Sequence, residues 1–142
     1  MHPYQEDITR RVLAEYAAGY KRVVEQMPTG AGKTYTVAQA QIPHFLRHGL
    51  KVLFVVDLDF VVDDTAAILI SLGIDAGIIQ AGKKFEPGKS VYVCSLMTLI
   101  KRGLRPFEGE PVIFILDECH IFAGPECLAL LHAYPGALHL GL

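Results

Sequence analysis

Apolar and polar positions along the chain follow two alternating periods, and each period predicts one kind of element. The runs at 52–56 and 112–116 are continuously apolar, which is typical of strands that are covered on both faces of a parallel sheet. Shorter apolar segments indicate further strands. The strands predicted in this way are residues 23–24, 52–56, 76–80, 91–94, 112–116 and 137–142.

Apolar residues at helical spacing separate these strands. Ile8, Val12 and Tyr16 share one face of a helix that we expect to end near Gly19. The other predicted helices are residues 34–48, 60–72, 95–101 and 125–133. Pro43 falls inside the first of these, so we expect a kink or a break there, because proline removes one backbone hydrogen bond.

Strands that alternate with helices predict an α/β fold. We expect a mainly parallel sheet with helices on both faces and right-handed crossovers. The length of 142 residues predicts a single domain. Ligands of such folds bind at the carboxyl ends of the strands.

Composition narrows the class of protein without identifying it. Hydrophobic residues make up 51% of the chain, so a globular domain is expected, and no apolar run approaches the roughly 18 residues of a membrane span. The N-terminus has no signal-peptide pattern. The three cysteines cannot all pair and do not have zinc-finger spacing, which predicts a reduced, cytoplasmic protein. The net charge of −2 gives no global attraction to nucleic acid, so such binding must rest on a local surface.

A glycine-bearing turn between a predicted strand and a predicted helix has the residues of a phosphate-binding loop. Gly30 and Gly32 allow backbone N–H groups to face an anion, and the helix adds the positive end of its dipole. Lys33 would reach the β- and γ-phosphates, and the Thr34 hydroxyl would bind Mg²⁺. The candidate loop is Pro28, Thr29, Gly30, Ala31, Gly32, Lys33 and Thr34. Met27 stands where the general pattern has glycine, and the alternative is a turn that carries these residues by chance.

Acidic residues directly follow the apolar strand at 112–116. Asp117 and Glu118 at the end of a buried strand are costly unless a cation or a reaction uses them. Beside a phosphate loop, Asp117 would hold Mg²⁺, mostly through water, and Glu118 would orient and deprotonate the water that attacks the γ-phosphate. His120 is a candidate coupler between nucleotide state and the rest of the protein. The alternative is a strand-end turn with solvated carboxylates.

Together these motifs carry a family resemblance. Residues 28–34, Gln5 and the sequence Asp-Glu-Cys-His at 117–120 resemble the superfamily 2 helicases and translocases, which are DEAD/DEAH-like, particularly the branch of restriction-enzyme subunits and DNA-repair helicases. The resemblance covers essentially the whole chain, and it implies the first RecA-like lobe of such a motor, with ATP and Mg²⁺ as cofactors. It also implies that Gln5, just before the first helix, reads the adenine edge, because an amide donates and accepts at once. The alternative for Gln5 is a solvated residue at a helix start.

The chain departs from the family pattern at some positions. His2 stands where the family often has arginine, and little chain precedes Gln5 to stack on a base. The family continues beyond the strand at 137–142 into a Ser/Thr-Ala-Thr motif and a second lobe with arginine fingers. We therefore expect residues 1–142 to be a helicase ATP-binding domain that is incomplete at its C-terminus. A shortened last strand would leave an exposed apolar edge.

Two further stretches match segments that face nucleic acid in this family. Residues 57–64 carry carboxylates where the family has a basic residue, and these would repel a phosphate backbone. The alternative is that Asp59 caps a helix and the other carboxylates lie on its solvated face. The second stretch would grip a sugar–phosphate strand, or it is a capped surface helix with solvated charges. Its candidate contacts are Ser95, Thr98, Lys101 and Arg102.

These observations predict the ATP-binding lobe of an ATP-dependent nucleic-acid helicase or translocase. It would hydrolyse ATP with Mg²⁺ when a second RecA-like lobe, in cis or in trans, completes it. DNA is favoured over RNA as the partner, and no membrane is expected. The alternative is a non-catalytic nucleotide-binding or interaction module with negligible hydrolysis by itself. A P-loop kinase would also have the phosphate-binding loop, but the sequence Asp-Glu-Cys-His is not expected in such an enzyme.

Overall fold

The elements follow one another as the sequence predicts along most of the chain. The computed structural model describes residues 3–26, 32–117 and 124–142. The helices in these ranges are α1 (Pro3–Ala17), α2 (Lys33–Thr36), α3 (Ile42–Arg47), α4 (Asp59–Ser71), α5 (Leu96–Arg102) and α6 (Pro125–His132). The strands are β1 (Arg22–Val24), β2 (Lys51–Val56), β3 (Ala76–Ile79), β4 (Val91–Ser95), β5 (Val112–Leu116) and β6 (Leu138–Gly141). A π-helical turn, Val37–Gln41, joins α2 to α3.

The described strands form one six-stranded sheet in the order β1-β6-β5-β2-β4-β3. Every neighbouring pair is parallel, and in the centre Phe54 of β2 lies between Val93 of β4 and Ile115 of β5. The predicted α/β class with a parallel sheet is confirmed. Because all strands run in the same direction, their carboxyl ends meet at one end of the sheet.

Helices cover both faces of the sheet, as predicted, and two cores result. On one face Val52, Phe54 and Val56 of β2 share a core with residues of α1, α4 and the helical run from α2 to α3. On the other face Leu53 and Val55 share a core with residues of α5 and α6. Alternate residues of one strand thus point to opposite faces. None of the helices in the described ranges combines the length and the apolar character that crossing a membrane requires.

The helix after the candidate loop is interrupted, as predicted, but the irregular turn lies before Pro43. The backbone N–H of Ile42 donates to the carbonyl of Val37, five residues back, which is the hydrogen bond of a π turn. Pro43 follows as the second residue of α3. It has no N–H to donate, and its ring would crowd the carbonyl four residues back in a regular helix. The wider turn relieves this crowding, so the chain stays helical where a break was one of the expected outcomes.

The expected exposed edge at the last strand is wrong. β6 lies between β1 and β5, and Leu140 within it is fully buried. Past the end of the strand, the Leu142 N–H still donates to the carbonyl of Leu116 at 3.0 Å. Strand order depends on how the crossovers pack, and the local pattern of apolar residues does not report it.

Two helix starts also differ from the prediction. Leu58, with extended backbone, is the N-cap of α4, and Asp59 is the first helical residue, so the predicted cap is wrong by one position. α1 already begins at Pro3, which places Gln5 inside the first turn and not before the helix. Proline suits this position because the first N–H groups of a helix have no partner within it.

Candidate functional site

The strands β1, β2 and β5 lead directly into acidic residues at the carboxyl end of the sheet, and the backbone of two of these residues is hydrogen-bonded to a neighbouring strand. After β1, the N–H of Glu25 donates to the carbonyl of Gly141 in β6 at 2.9 Å. After β5, the N–H of Asp117 donates to the carbonyl of Val55 in β2 at 3.1 Å. The sheet ladder therefore extends past each strand and fixes the backbone of both acids. Outside the described residues lie Pro28, Thr29, Gly30, Ala31, Glu118 and His120, whose roles stay predictions.

Gly32 forms the start of the helix that follows the candidate loop. Its φ of 72° lies in the left-handed region, which favours glycine. The Gly32 carbonyl accepts the N–H of Thr36 at 2.9 Å and so begins the helix. A Cβ atom at Gly32 would lie 3.4 Å from Nε2 of Gln5. The side-chain amide of Gln5 therefore lies against the backbone at the helix start.

Gln5 is buried, with an exposed fraction of 7%, so it is not the solvated residue of the alternative interpretation. It belongs to the first turn of α1, and its backbone carbonyl accepts the hydroxyl of Thr9 at 2.8 Å. Because its amide lies beside Gly32, the residue sits next to the helix start that carries Lys33. This placement allows a base and its phosphates to be recognised by neighbouring groups.

Lys33 and Thr34 occupy the first turn of α2, and both side chains are half-buried. Asp117 at the end of β5 is also half-buried. A hydroxyl and a carboxylate are hard oxygen ligands of the kind that Mg²⁺ prefers. Within the described ranges, no group of three or more His, Cys, Asp and Glu side chains is placed to hold a metal ion. The binding of Mg²⁺ by Thr34 and Asp117 stays a prediction.

Sequence reasoning did not predict the buried polar network that joins α1, the end of β1 and the π turn. Nε2 of Gln41 donates to Oε2 of Glu25 at 2.9 Å and, at a longer 3.4 Å, to Oγ1 of Thr9. The Thr9 hydroxyl donates onward to the carbonyl of Gln5. Exposed fractions are only 5% for Glu25 and 0% for Gln41. The network therefore runs through the interior from Gln5 to the residue that follows β1.

Burial dominates the electrostatics of Glu25. Loss of water raises the pKa of its carboxyl, while the hydrogen bond from Gln41 and the charge of Lys33 act in the opposite direction. Burial, and then the charge of Glu25, raise the pKa of the Tyr16 phenol on α1. Three buried oxygens here have no hydrogen-bond partner within the described part of the chain. They are Oε1 of Glu25, Oε1 of Gln41 and Oγ1 of Thr36.

The acidic stretch after β2 lies on the surface. Asp59 and Asp64 are exposed, and Oδ1 of Asp63 forms an exposed ion pair with Nζ of Lys83 at 2.6 Å. The hydrogen bond from Lys83 holds the pKa of Asp63 below its usual range. Nε2 of Gln80 donates to the carbonyl of Asp59 at 2.7 Å and ties the start of α4 to the end of β3. These positions agree with the alternative interpretation of carboxylates on a solvated helix face.

The candidate nucleic-acid residues after β4 have local partners. Ser95 is the N-cap of α5, as predicted, and its Oγ accepts the N–H of Thr98 at 3.5 Å. Both residues are buried. Lys101 is exposed, whereas the guanidinium of Arg102 donates to the carbonyl of Lys83 at 2.9 Å. Contact of these residues with nucleic acid stays a prediction.

Comparison with known proteins gives one family and one fold. The family model described as type III restriction enzyme, res subunit, matches residues 1–142. No curated protein matches the sequence. Similar solved structures include the UvsW helicase from bacteriophage T4, with a TM-score of 0.77 at 21% identity over 99% of this chain and 51% of that one. A second is a nuclease-deletion mutant of the type ISP restriction-modification enzyme LlaGI in complex with a DNA substrate mimic, with a TM-score of 0.71 at 14% identity over 99% of this chain and 17% of that one. A third is a DEAD box protein from Methanococcus jannaschii, with a TM-score of 0.65 at 20% identity over 95% of this chain and 42% of that one.

At these identities the structural likeness shows the fold alone. The chain spans about half of the UvsW chain and 17% of the LlaGI chain. What those whole proteins do therefore extends beyond the part that is shared with this chain.

Proposed function

The chain belongs to the family of the type III restriction enzyme res subunit, and from that premise we propose that it is the ATP-binding lobe of an ATP-dependent nucleic-acid helicase or translocase. Residues 1–142 would form the helicase ATP-binding domain, and a second RecA-like lobe, in cis or in trans, would complete it for hydrolysis. Family membership and the parallel sheet support a helicase-type lobe. The use of ATP and Mg²⁺ is the proposed part.

One observation carries the proposal best. The Gln5 amide lies beside Gly32 at the start of the helix whose first turn holds Lys33 and Thr34. A base-reading amide next to a phosphate-binding helix start is what recognition of a nucleotide requires. The acidic residue Asp117 follows β5 at the same end of the sheet, where ligands of parallel sheets bind.

The residues of this chain would divide the work as follows. Lys33 would bind the β- and γ-phosphates, while Thr34 and Asp117 would hold Mg²⁺. Bound Mg²⁺ would neutralise charge on the phosphates. Glu118 would accept the proton of the attacking water, and His120 would transmit the nucleotide state.

DNA or RNA is the proposed partner. LlaGI was solved with a DNA substrate mimic, which favours DNA for the motor that this lobe would serve. The exposed Lys101 and Arg102 on α5 offer positive charge to a backbone. Contacts from the buried Ser95 and Thr98 would have to use backbone groups or a rearranged hydroxyl.

The test is nucleic-acid-stimulated ATP turnover by a protein in which this lobe is joined to a second lobe. Lys33→Ala and Glu118→Gln are expected to abolish turnover, while Lys21→Ala, at the other end of β1, is the control for loss of a lysine outside the site. Turnover that survives both substitutions would reject the proposal.

A second candidate is a non-catalytic module that binds nucleotide or a partner chain. The exposed carboxylates Asp57, Asp59 and Asp64 favour it, because they would repel a nucleic-acid backbone at this end of the sheet. It predicts binding of Mg-nucleotide with negligible hydrolysis even when the second lobe is present. Robust hydrolysis would exclude it.

A further inference from the structure

The buried polar network connects the three elements that surround the candidate nucleotide site. Thr9 lies on α1, one turn after Gln5, and Gln41 lies in the helical run that begins at Gly32. Glu25 follows β1, and its backbone is fixed to β6 by the hydrogen bond to Gly141. The side chains of Thr9, Gln41 and Glu25 thus meet where α1, the sheet and the helix after the loop pack together.

Stability alone does not explain this arrangement. Buried polar groups cost free energy unless they are fully hydrogen-bonded, and apolar residues of similar size often replace them at no loss. Here Oε1 of Glu25 and Oε1 of Gln41 have no partner within the described residues. Hydrogen bonds fix the orientation of side chains as well as their distance, whereas apolar contacts do not fix orientation. The remaining bonds of the network can therefore orient the side chains that they join.

We propose that Thr9 and Gln41, anchored on Glu25, are positioning residues that hold Gln5 against Gly32 and thereby set a preference for adenine nucleotides. The inference rests on the proposed function, in which Gln5 reads the base. The bonds form a chain: the Gln41 amide donates to both Glu25 and the Thr9 hydroxyl, and that hydroxyl donates to the carbonyl of Gln5 in the first turn of α1.

Base recognition and phosphate binding should respond differently to loss of this network. An amide that pairs with a base edge needs correct placement of both its donor and its acceptor. α1 carries the proposed base reader Gln5, whereas Lys33 and Thr34 lie on α2. A small shift of α1 would therefore weaken reading of adenine and leave the phosphate contacts in place.

The experiment measures dissociation constants of the 142-residue chain for Mg-ATP, Mg-GTP and inorganic tripolyphosphate. Gln41→Met removes both amide bonds at similar volume, and Thr9→Val removes only the hydroxyl. Each is expected to lower the GTP-to-ATP ratio of dissociation constants by about tenfold, which is the scale on which one well-placed base contact discriminates. Tripolyphosphate affinity should stay unchanged. Thr9→Ser, which restores the hydroxyl, should recover the ratio.

Two further variants serve as references for interpreting a negative result. Gln5→Ala should abolish the preference for ATP, and Thr65→Val, another buried threonine outside the network, should leave it intact. If Gln5→Ala abolishes the preference while Gln41→Met and Thr9→Val retain it, the inference is wrong and the proposed base reader stands. If Gln5→Ala leaves the ratio at its starting value, adenine reading by Gln5 fails, and the inference falls with it. Equal loss of all three ligands in Gln41→Met would also overturn the inference, because it indicates general damage to the site.

Discussion

Replacing the buried carboxyl of Glu25 by an amide should stabilise the protein at neutral pH. Burial raises the pKa of Glu25, so the folded protein binds a proton on this group more tightly than the unfolded chain does. Raising the pH through that pKa therefore removes stability from the native protein. Glu25→Gln cannot ionise, so it escapes this loss.

The size of the effect follows from the hydrogen bonds. Within the part of the chain that the structure describes, Glu25 and Gln41 each have one oxygen without a hydrogen-bond partner, and the carboxylate accepts one bond from Gln41. An amide at 25 could keep accepting from Gln41 and also donate to the unpaired Gln41 oxygen. One buried unpaired polar group costs about 1–3 kcal/mol, and the lost attraction to Lys33 subtracts from this gain. We expect about 1 kcal/mol of added stability at pH 7.

The assay is urea unfolding of the wild type and Glu25→Gln at several pH values, with the exposed Glu15→Gln as the matched control. The stability difference should be largest at pH 7 and shrink as the pH falls toward 4.5, the ordinary value for this group. Glu15→Gln should show no comparable difference. A Glu25→Gln variant that is less stable than the wild type at pH 7 would refute the reasoning, because attraction to Lys33 would then outweigh burial.

Three other substitutions test a close contact in the sheet, a surface ion pair and the backbone conformation at the helix start. Gly77→Ala in β3 should lower the free energy of unfolding by about 1–3 kcal/mol, since its Cβ would lie 2.5 Å from Cε1 of the buried Tyr92; an unchanged urea midpoint would contradict this contact. Asp63→Asn should leave the urea midpoint unchanged, because its partner Lys83 is 46% exposed and surface ion pairs contribute little; a clear shift of the midpoint would contradict this. Gly32→Ala should lower the free energy of unfolding by about 1 kcal/mol, because its positive φ disfavours a residue with a Cβ atom, and an unchanged urea midpoint would contradict this.

Elements that depend on local pattern were predictable from the sequence. The strands at 52–56 and 112–116 are confirmed because a continuous apolar run can be satisfied only by cover on both faces. The cap at Ser95 is confirmed because a hydroxyl before a helical run satisfies a free N–H. The resemblance to the first RecA-like lobe of superfamily 2 motors is confirmed by the family match and the fold.

Features that depend on long-range packing were not predictable in the same way. The interior position of β6 follows from the pairing of residues far apart in the chain, such as Phe114 with His139. The π turn before Pro43 is a response of the preceding turn to the ring that follows it. In both cases the feature appears at one place in the chain but is caused by residues at another, so the local sequence does not predict it.

The polar network was only partly predictable. The elements that carry it were predicted correctly, but its polar residues stand at positions where the apolar pattern of those elements is interrupted. The buried side of α1 begins with Gln5 and Thr9 before it reaches Val12, so the stripe turns polar only at the end that faces the candidate site. Gln41 occupies a position fully buried between Val37 and Phe45, and Glu25 directly extends β1. A polar residue at a position that the period assigns to the core costs free energy, so several that converge at one end of a sheet mark that end for a role other than packing.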